Sequence, residues 1–424
     1  MLNKDGEREL CYVVLIDNIE PIPGYDRVEW ATVGGWKVIV QKDQFQIGDP
    51  AIYFEIDSKV PSDKECFAFL EKRHYKVKTL KMCKVISQGL LMHASDFGWK
   101  IGCNWDAMNS DNEDRKLVAI IDNNNNYHYV DDESRFLTKE FGVTYADAED
   151  NQRKAPSVDK YKKMAQRHPE IFKKPWARWL MKRQWGRKLM FAFFGKKKDK
   201  KNGWPEWVSK TDEERIQNMP WILNDKGEWI VTEKIDGSST TFTMKRSKKK
   251  FSKDYNYDFY VCSRNVCFDS VDKPCYYDTN IYWEMAQQYK MFEVLKALIN
   301  VFDVDWVTIQ GETFGAGVQR RDYSLNGHDF RAFNLITSKD GRLNTVTMAN
   351  ILDKFSVPSV PIINEHFYFN ALGEPEDRMD AILAMATGNS MVDGKPREGF
   401  VLRSADGSQS FKAVSNEFLL KYHG

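Results

Sequence analysis

Short runs of β-branched and aromatic residues, each stopped by glycine, proline or aspartate, recur in two regions of the chain, and this pattern predicts strands. In the first region the runs cover 12–16, 28–33, 36–40 and 51–56. A turn at 22–26, the pair Gly34-Gly35 and the sequence Gly48-Asp49-Pro50 separate them. A double glycine between alternating runs predicts a hairpin. In the second region the stretch 229–242 breaks at Asp236-Gly237 and resumes, which predicts strand, tight turn, strand. Further strands are predicted at 257–262, 306–310, 330–335, 399–403 and 410–414. Helical periodicity is clearest over 282–300, with Met285, Tyr289, Phe292, Leu295, Ala297 and Leu298 as core positions. Thr211 followed three residues later by Glu214 predicts a capped helix start.

Strands this short, at these spacings, fit a small barrel of the OB type in the first region. The second region mixes strands with helices, so the chain reads as α+β. At 424 residues it is too long for one ordinary core. An OB-like β-barrel with an acidic extension is expected over 1–150, a basic aromatic-rich connector over 151–203 and a second large unit over 204–424. The connector is crowded with Lys and Arg, set against only Asp159, Glu170 and Asp199 between 153 and 201, and Trp176, Trp179, Trp185 and Phe191 interleave them. Such a segment covers phosphates, lies on an anionic membrane, or packs while solvating its outer face. For the first of these, Lys182, Arg183, Arg187 and Lys188 are the candidate nucleic-acid contacts.

Composition narrows the function classes. With 42% hydrophobic and 29% charged residues the chain has the make-up of a soluble globular protein. Its seven cysteines are scattered with no CxxC pair, which argues against a disulfide framework or a zinc site and for a reducing, cytoplasmic setting. The N-terminus lacks a signal-peptide pattern, and no apolar run reaches membrane-spanning length.

The chemistry centres on Lys234, placed where a strand runs into its turn. A lysine there is either a solvated tip or a nucleophile. An ammonium cannot attack, so the second reading needs burial or nearby cations to depress a pKa that starts near 10.4. Asp236 is close enough to orient the amine or a metal-bound water, and Gly237 would allow a tight turn and the approach of a phosphate.

Along the rest of the second region Ser263-Arg264-Asn265, Gly311-Glu312, Phe333, Glu398-Gly399 and Lys412 follow Lys234-Ile235-Asp236-Gly237 in order, nearly all on or just past predicted strands. That series resembles the covalent nucleotidyltransferases, the polynucleotide ligases and mRNA capping enzymes. The stretch from Ile19 to Glu29, Gly48-Asp49-Pro50 and the stretch from Lys210 to Asn218 narrow the resemblance to ATP-dependent RNA ligases of the Deinococcus and Naegleria type. These carry an OB domain ahead of a ligase domain of antiparallel sheets with flanking helices.

The resemblance implies a lysyl–AMP on Lys234, formed from ATP with magnesium or manganese. AMP then passes to a 5′-phosphate RNA end, and a 3′-hydroxyl displaces it. It implies catalytic roles for Lys234, Asp236 and Lys412, and nucleotide contacts for Glu233, Gly237, Arg264, Glu312, Phe333 and Arg215. Phe333 would stack on adenine, Arg264 would offer a fork to ribose or phosphate, and Arg215 would reach phosphates across the cleft. Glu398 and Glu312 would hold metal. The expected protein is a monomer that takes RNA and ATP. Where the family has two lysines one residue apart in its last motif, this chain has only Lys412, between Ser410 and Val414, so the second contact falls to the distant Lys421 or to nothing. A DNA ligase, a capping guanylyltransferase, and a nucleic-acid-binding relative without turnover are the competing readings.

Overall fold

A computed structural model describes residues 1–103, 118–146, 203–210, 212–249, 254–273, 275–319 and 321–423, with Lys174 and Leu180 standing alone. Lys182, Arg183, Arg187 and Lys188, and the capping residue Thr211, lie outside the described residues.

The N-terminal unit is built of small antiparallel sheets. One joins Cys11–Leu15, Pro50–Phe54 and Leu90–Met92; another joins Asn18–Ile22, Tyr25–Val33 and Trp36–Gln41. Gly34 turns the last of these hairpins at φ 57°, a conformation glycine adopts without strain. The near-continuous apolar run of Cys11–Leu15 follows from burial on both faces. Val13, with Ile52 and Phe54, packs on Phe67 and Phe141, whereas Tyr12 and Val14 pack with Trp36, Val38 and Tyr53.

The C-terminal unit has two larger sheets. The five-stranded one runs in the order Glu214–Arg215, Ser410–Val414, Gly399–Ser404, Trp229–Lys234, Ile362–Phe367. The six-stranded one runs Cys267–Phe268, Tyr255–Ser263, Ser238–Lys248, Trp306–Gly315, His328–Thr337, Gly341–Arg342. Helix Arg378–Ala386 covers the first through Ile382 and Leu383 against Trp229, Phe400 and Phe411. Helices Ile281–Gln288 and Met291–Phe302 cover the second through Met285, Leu295 and Leu298 against Phe242 and Ile309.

Three sequence expectations change here. The strands on either side of Asp236-Gly237 do not form a hairpin. They belong to different sheets, so Lys234 ends one sheet at the seam with the other. Gly237 accordingly serves close approach rather than a left-handed turn. A Cβ there would stand 2.4 Å from the carbonyl oxygen of Thr313. The helix expected over 282–300 is two helices broken at Lys290, in the left-handed region at φ 49°. The break shifts the periodicity, so Phe292 faces solvent while Val294 and Ile299 are buried. Finally, Glu214–Arg215 extends as a short strand parallel to Ser410–Val414 instead of starting a helix.

Candidate active site

Alternation along Trp229–Lys234 decides what Lys234 faces. Trp229 and Val231 pack into the core under helix Arg378–Ala386, so Glu233 follows them and Lys234 takes the other face of the sheet. Phe411 and Ala413 lie in that same core, which leaves Lys412 on the face of Lys234. Lys234 stands opposite Gly399 in the neighbouring strand, and the residue before that glycine meets its tip. Lys234 Nζ donates to Glu398 Oε2 at 2.7 Å. A side chain at position 399 would press a Cβ to 2.1 Å from the carbonyl oxygen of Ala413, so only glycine brings these strands together as they are.

From the second sheet comes Glu312, opposite Ser239 just past the seam. The Asp236 backbone N–H donates to the Tyr323 hydroxyl at 2.7 Å. Three carboxylates and one lysine therefore gather where the sheets join. They reverse the pKa shift expected for Lys234. Burial lowers the Lys234 pKa, but Glu398, Glu312 and Asp236 together outweigh it and raise it above the ordinary value, so the protein alone holds an ammonium here. Glu312 is pushed up to about 8, by desolvation first and then by Glu398 and Asp236, against the pull of Lys234. Among the described residues no group of three or more His, Cys, Asp or Glu forms a ready metal cage.

Beside this group is a cluster of cations around one carboxylate. Lys412 Nζ donates to Asp212 Oδ1 at 3.2 Å. Asp212 Oδ2 accepts from Arg264 at 2.7 Å and from Arg8 Nε at 3.2 Å. Burial opposes the charge on Asp212, yet Lys412, Arg8 and Arg264 hold it well below the usual carboxylate range. Lys412 is pushed down to about 8 by burial, then by Arg8, with Arg215 and Lys234 adding and Asp212 opposing.

The sequence of residues 227–423 matches the family model described as RNA ligase, and residues 10–94 match one described as an OB-fold domain. The chain joins an OB-fold domain to an RNA ligase domain. Among solved structures, Naegleria gruberi RNA ligase with pyrophosphate is 24% identical over 98% of this chain and 99% of that one, with a TM-score of 0.65. A mutant of the same ligase with AMP and manganese gives 23% identity, the same two coverages and a TM-score of 0.64. Another mutant, with ATP and manganese, gives 24%, again the same coverages, and 0.64. At this identity the likeness is one of fold. A comparison with curated proteins finds no match. No helix among the described residues is long and apolar enough to cross a membrane.

Within the ligase domain the other expected residues have distinct places. Phe333 occupies a bulge, because Gln310 pairs with Asn334 and Gly311 with Ala332, which leaves Phe333 as the extra residue. It packs beside Ile235, Phe314 and Tyr323, next to the strand that ends in Lys234. Glu233 is 1% exposed and accepts the Met391 backbone N–H at 2.8 Å, so it holds the loop that precedes Glu398. Arg264 is about half exposed, with its side chain at 49%, and its ion pair with Asp212 is correspondingly screened. Arg215 does not stand free in the cleft. It donates to Asp57 of the OB-fold domain at 2.8 Å, and its Nη1 is buried without a hydrogen-bond partner.

Sequence reasoning missed Arg8, Asp212 and Tyr323. Arg8 and Asp212 are 204 residues apart in different domains, and no local pattern links them. Asp212 lay within the stretch that carried the resemblance, but nothing in its spacing marked it as the carboxylate shared by three cations.

Proposed function

We propose that this protein is an ATP-dependent RNA ligase, joining a 3′-hydroxyl to a 5′-phosphate through a lysyl–AMP on Lys234. The observation that carries this reading is the placement of Lys234 at the seam of two sheets, against Glu398 and on the same face as Lys412. The match to the RNA ligase model supports the reaction class. The ATP, AMP and manganese of the Naegleria ligase structures support the same ligands here.

In the first step Lys234 Nζ forms a bond to the α-phosphorus, the bond to pyrophosphate breaks, and the ammonium proton must leave. Glu398 Oε2, 2.7 Å away, is placed to take it. Whatever offsets the negative charge of Glu398 and Glu312 also removes what keeps the proton on Lys234, and burial then favours the neutral amine. Lys412 supplies positive charge toward the α-phosphate, Phe333 offers its ring to adenine, and Glu312 takes the ribose hydroxyls or faces metal. AMP then moves to the RNA 5′-phosphate, and the 3′-hydroxyl displaces it.

The donor set fits a divalent cation. Glu398, Glu312 and Asp236 gather around a single cation, Lys234, and once that lysine gives up its proton nothing in this group balances their charge. Glu398 and Glu312 would hold magnesium or manganese, which when bound neutralises phosphate charge.

The test is strand sealing with 5′-phosphate and 3′-hydroxyl ends, ATP and either metal. RNA joining that requires ATP is expected. Preference for all-DNA ends, or label transfer from GTP in place of ATP, would replace this reading with a DNA ligase or a guanylyltransferase. Tight RNA binding with no transfer at all would leave a binding protein.

A further inference from the structure

Ser410, Lys412 and Val414 share one face of their strand, where the family resemblance expects a second lysine beside Lys412. Neither neighbour provides one. The Ser410 hydroxyl donates to Glu213. Val414 is 3% exposed and packs among Tyr12, Val14, Trp36 and Leu91 of the OB-fold domain, so a charged side chain there would lose its water inside an apolar cluster. The distant Lys421 is exposed, with Nζ over the Tyr422 ring at 5.0 Å. The OB-fold domain thus occupies the place of the second cation, and the same domain sends one of its own toward Lys412.

That cation is Arg8. Its Nε donates to Asp212 at 3.2 Å, its Nη1 to Glu55 and Glu214 at 3.4 Å each, and its Nη2 to the Glu213 carbonyl oxygen at 3.2 Å. Four acceptors fix the guanidinium, and its side chain is only 7% exposed, so it does not swing onto a ligand. It acts on Asp212, which among the described residues is the carboxylate that also pairs with Lys412. With Arg8 in place, Asp212 divides its charge among three cations and is less completely engaged with Lys412. Without Arg8, Asp212 turns more fully to Lys412.

We propose that Arg8 of the OB-fold domain is a positioning residue for the nucleotide phosphate site, holding Asp212 so that Lys412 remains available to phosphate. This rests on the ligase reading above.

The test uses the full chain, wild type, Arg8→Gln and Arg8→Lys. The ligand is an ATP analogue with a methylene bridge between its α- and β-phosphates, in the presence of magnesium. Its affinity is measured by calorimetry from neutral to alkaline pH. The groups facing Lys412 are Asp212, Arg8, Arg215 and Lys234. Glu312 also titrates near the same pH, but its charge neighbours are Lys234, Glu398, Asp236 and Arg264, so its contribution is common to all three proteins.

In the wild type, Lys412 contributes to affinity below about 8 and loses that contribution as pH rises through it. Arg8→Gln removes a positive neighbour, so the Lys412 midpoint moves to higher pH, while affinity at neutral pH falls about tenfold, the size of one charge-assisted hydrogen bond. Arg8→Lys keeps the charge and returns the midpoint toward the wild type, with affinity only partly restored, because one ammonium cannot reproduce the four-acceptor fork. A folded Arg8→Gln protein with wild-type affinity and midpoint overturns the inference. If Arg8→Gln fails to fold, full wild-type affinity in Arg8→Lys overturns it in its place. A wild-type protein that does not bind the analogue overturns both this inference and the ligase reading; an unmoved midpoint overturns this one alone.

Discussion

Lys412→Met is expected to make the protein alone more stable while removing most of its reaction with ATP. Lys412 is pushed from 10.5 down to about 8, chiefly by burial and by Arg8. A shift of that size costs about 3 kcal/mol when the group is charged in the folded state. The sign follows from which state binds the proton more weakly. Between the folded and unfolded values the folded chain holds fewer protons, so the cost is fully present below about 8 and fades as pH rises toward 10.5. Methionine keeps the length and apolar stem without the charge, and Asp212 retains Arg8 and Arg264. Thermal melting at neutral pH should rise by several degrees, roughly as 2–3 kcal/mol does in a protein of this size, and the gain should shrink at alkaline pH. Transfer of labelled AMP should fall about a hundredfold or more, the usual effect of losing a charge aimed at the reacting phosphate. A lower melting temperature at neutral pH, or undiminished transfer, would contradict this account of Lys412.

Glu398→Gln should separate basicity from reactivity. Glu398 is the carboxylate that does most to raise the Lys234 pKa, so its removal lets more of the amine go neutral at a given pH. Reactivity should nonetheless drop by about a hundred- to a thousandfold, because the proposed proton acceptor and cation ligand go with it. The residual reaction should reach half its maximum at a lower pH than in the wild type. Residual transfer with an unchanged pH dependence would mean that Glu398 does not set the protonation of Lys234.

Much of this organisation was legible in the sequence because its signals are local. Alternation and glycine pairs marked the strands at 36–40, 399–403 and 410–414, and an ordered series of short motifs singled out Lys234, Glu398 and Lys412. What depended on pairing between distant strands was not legible. The same Asp236-Gly237 break suits a hairpin or a crossing between sheets, and only the pairing of Ser238–Lys248 with Trp306–Gly315 decides for the crossing. The bulge that sets Phe333 apart needs two strands to be defined, and a single run of residues cannot display it. The sign of the Lys234 shift was equally hidden. Burial alone depresses a lysine, and the carboxylates that reverse the effect arrive from separate strands and the link between the sheets. Val414 reads as an ordinary strand residue until the OB-fold domain is seen packed against it.

Lys234 itself is proposed to carry AMP. Intact-mass measurement of the purified protein after incubation with ATP and magnesium, followed by peptide mapping, tests it most directly. The account predicts one added AMP, released by acid and located on Lys234, and none on Lys234→Ala. An unmodified protein that still seals RNA, or an adduct on any other residue, would contradict it.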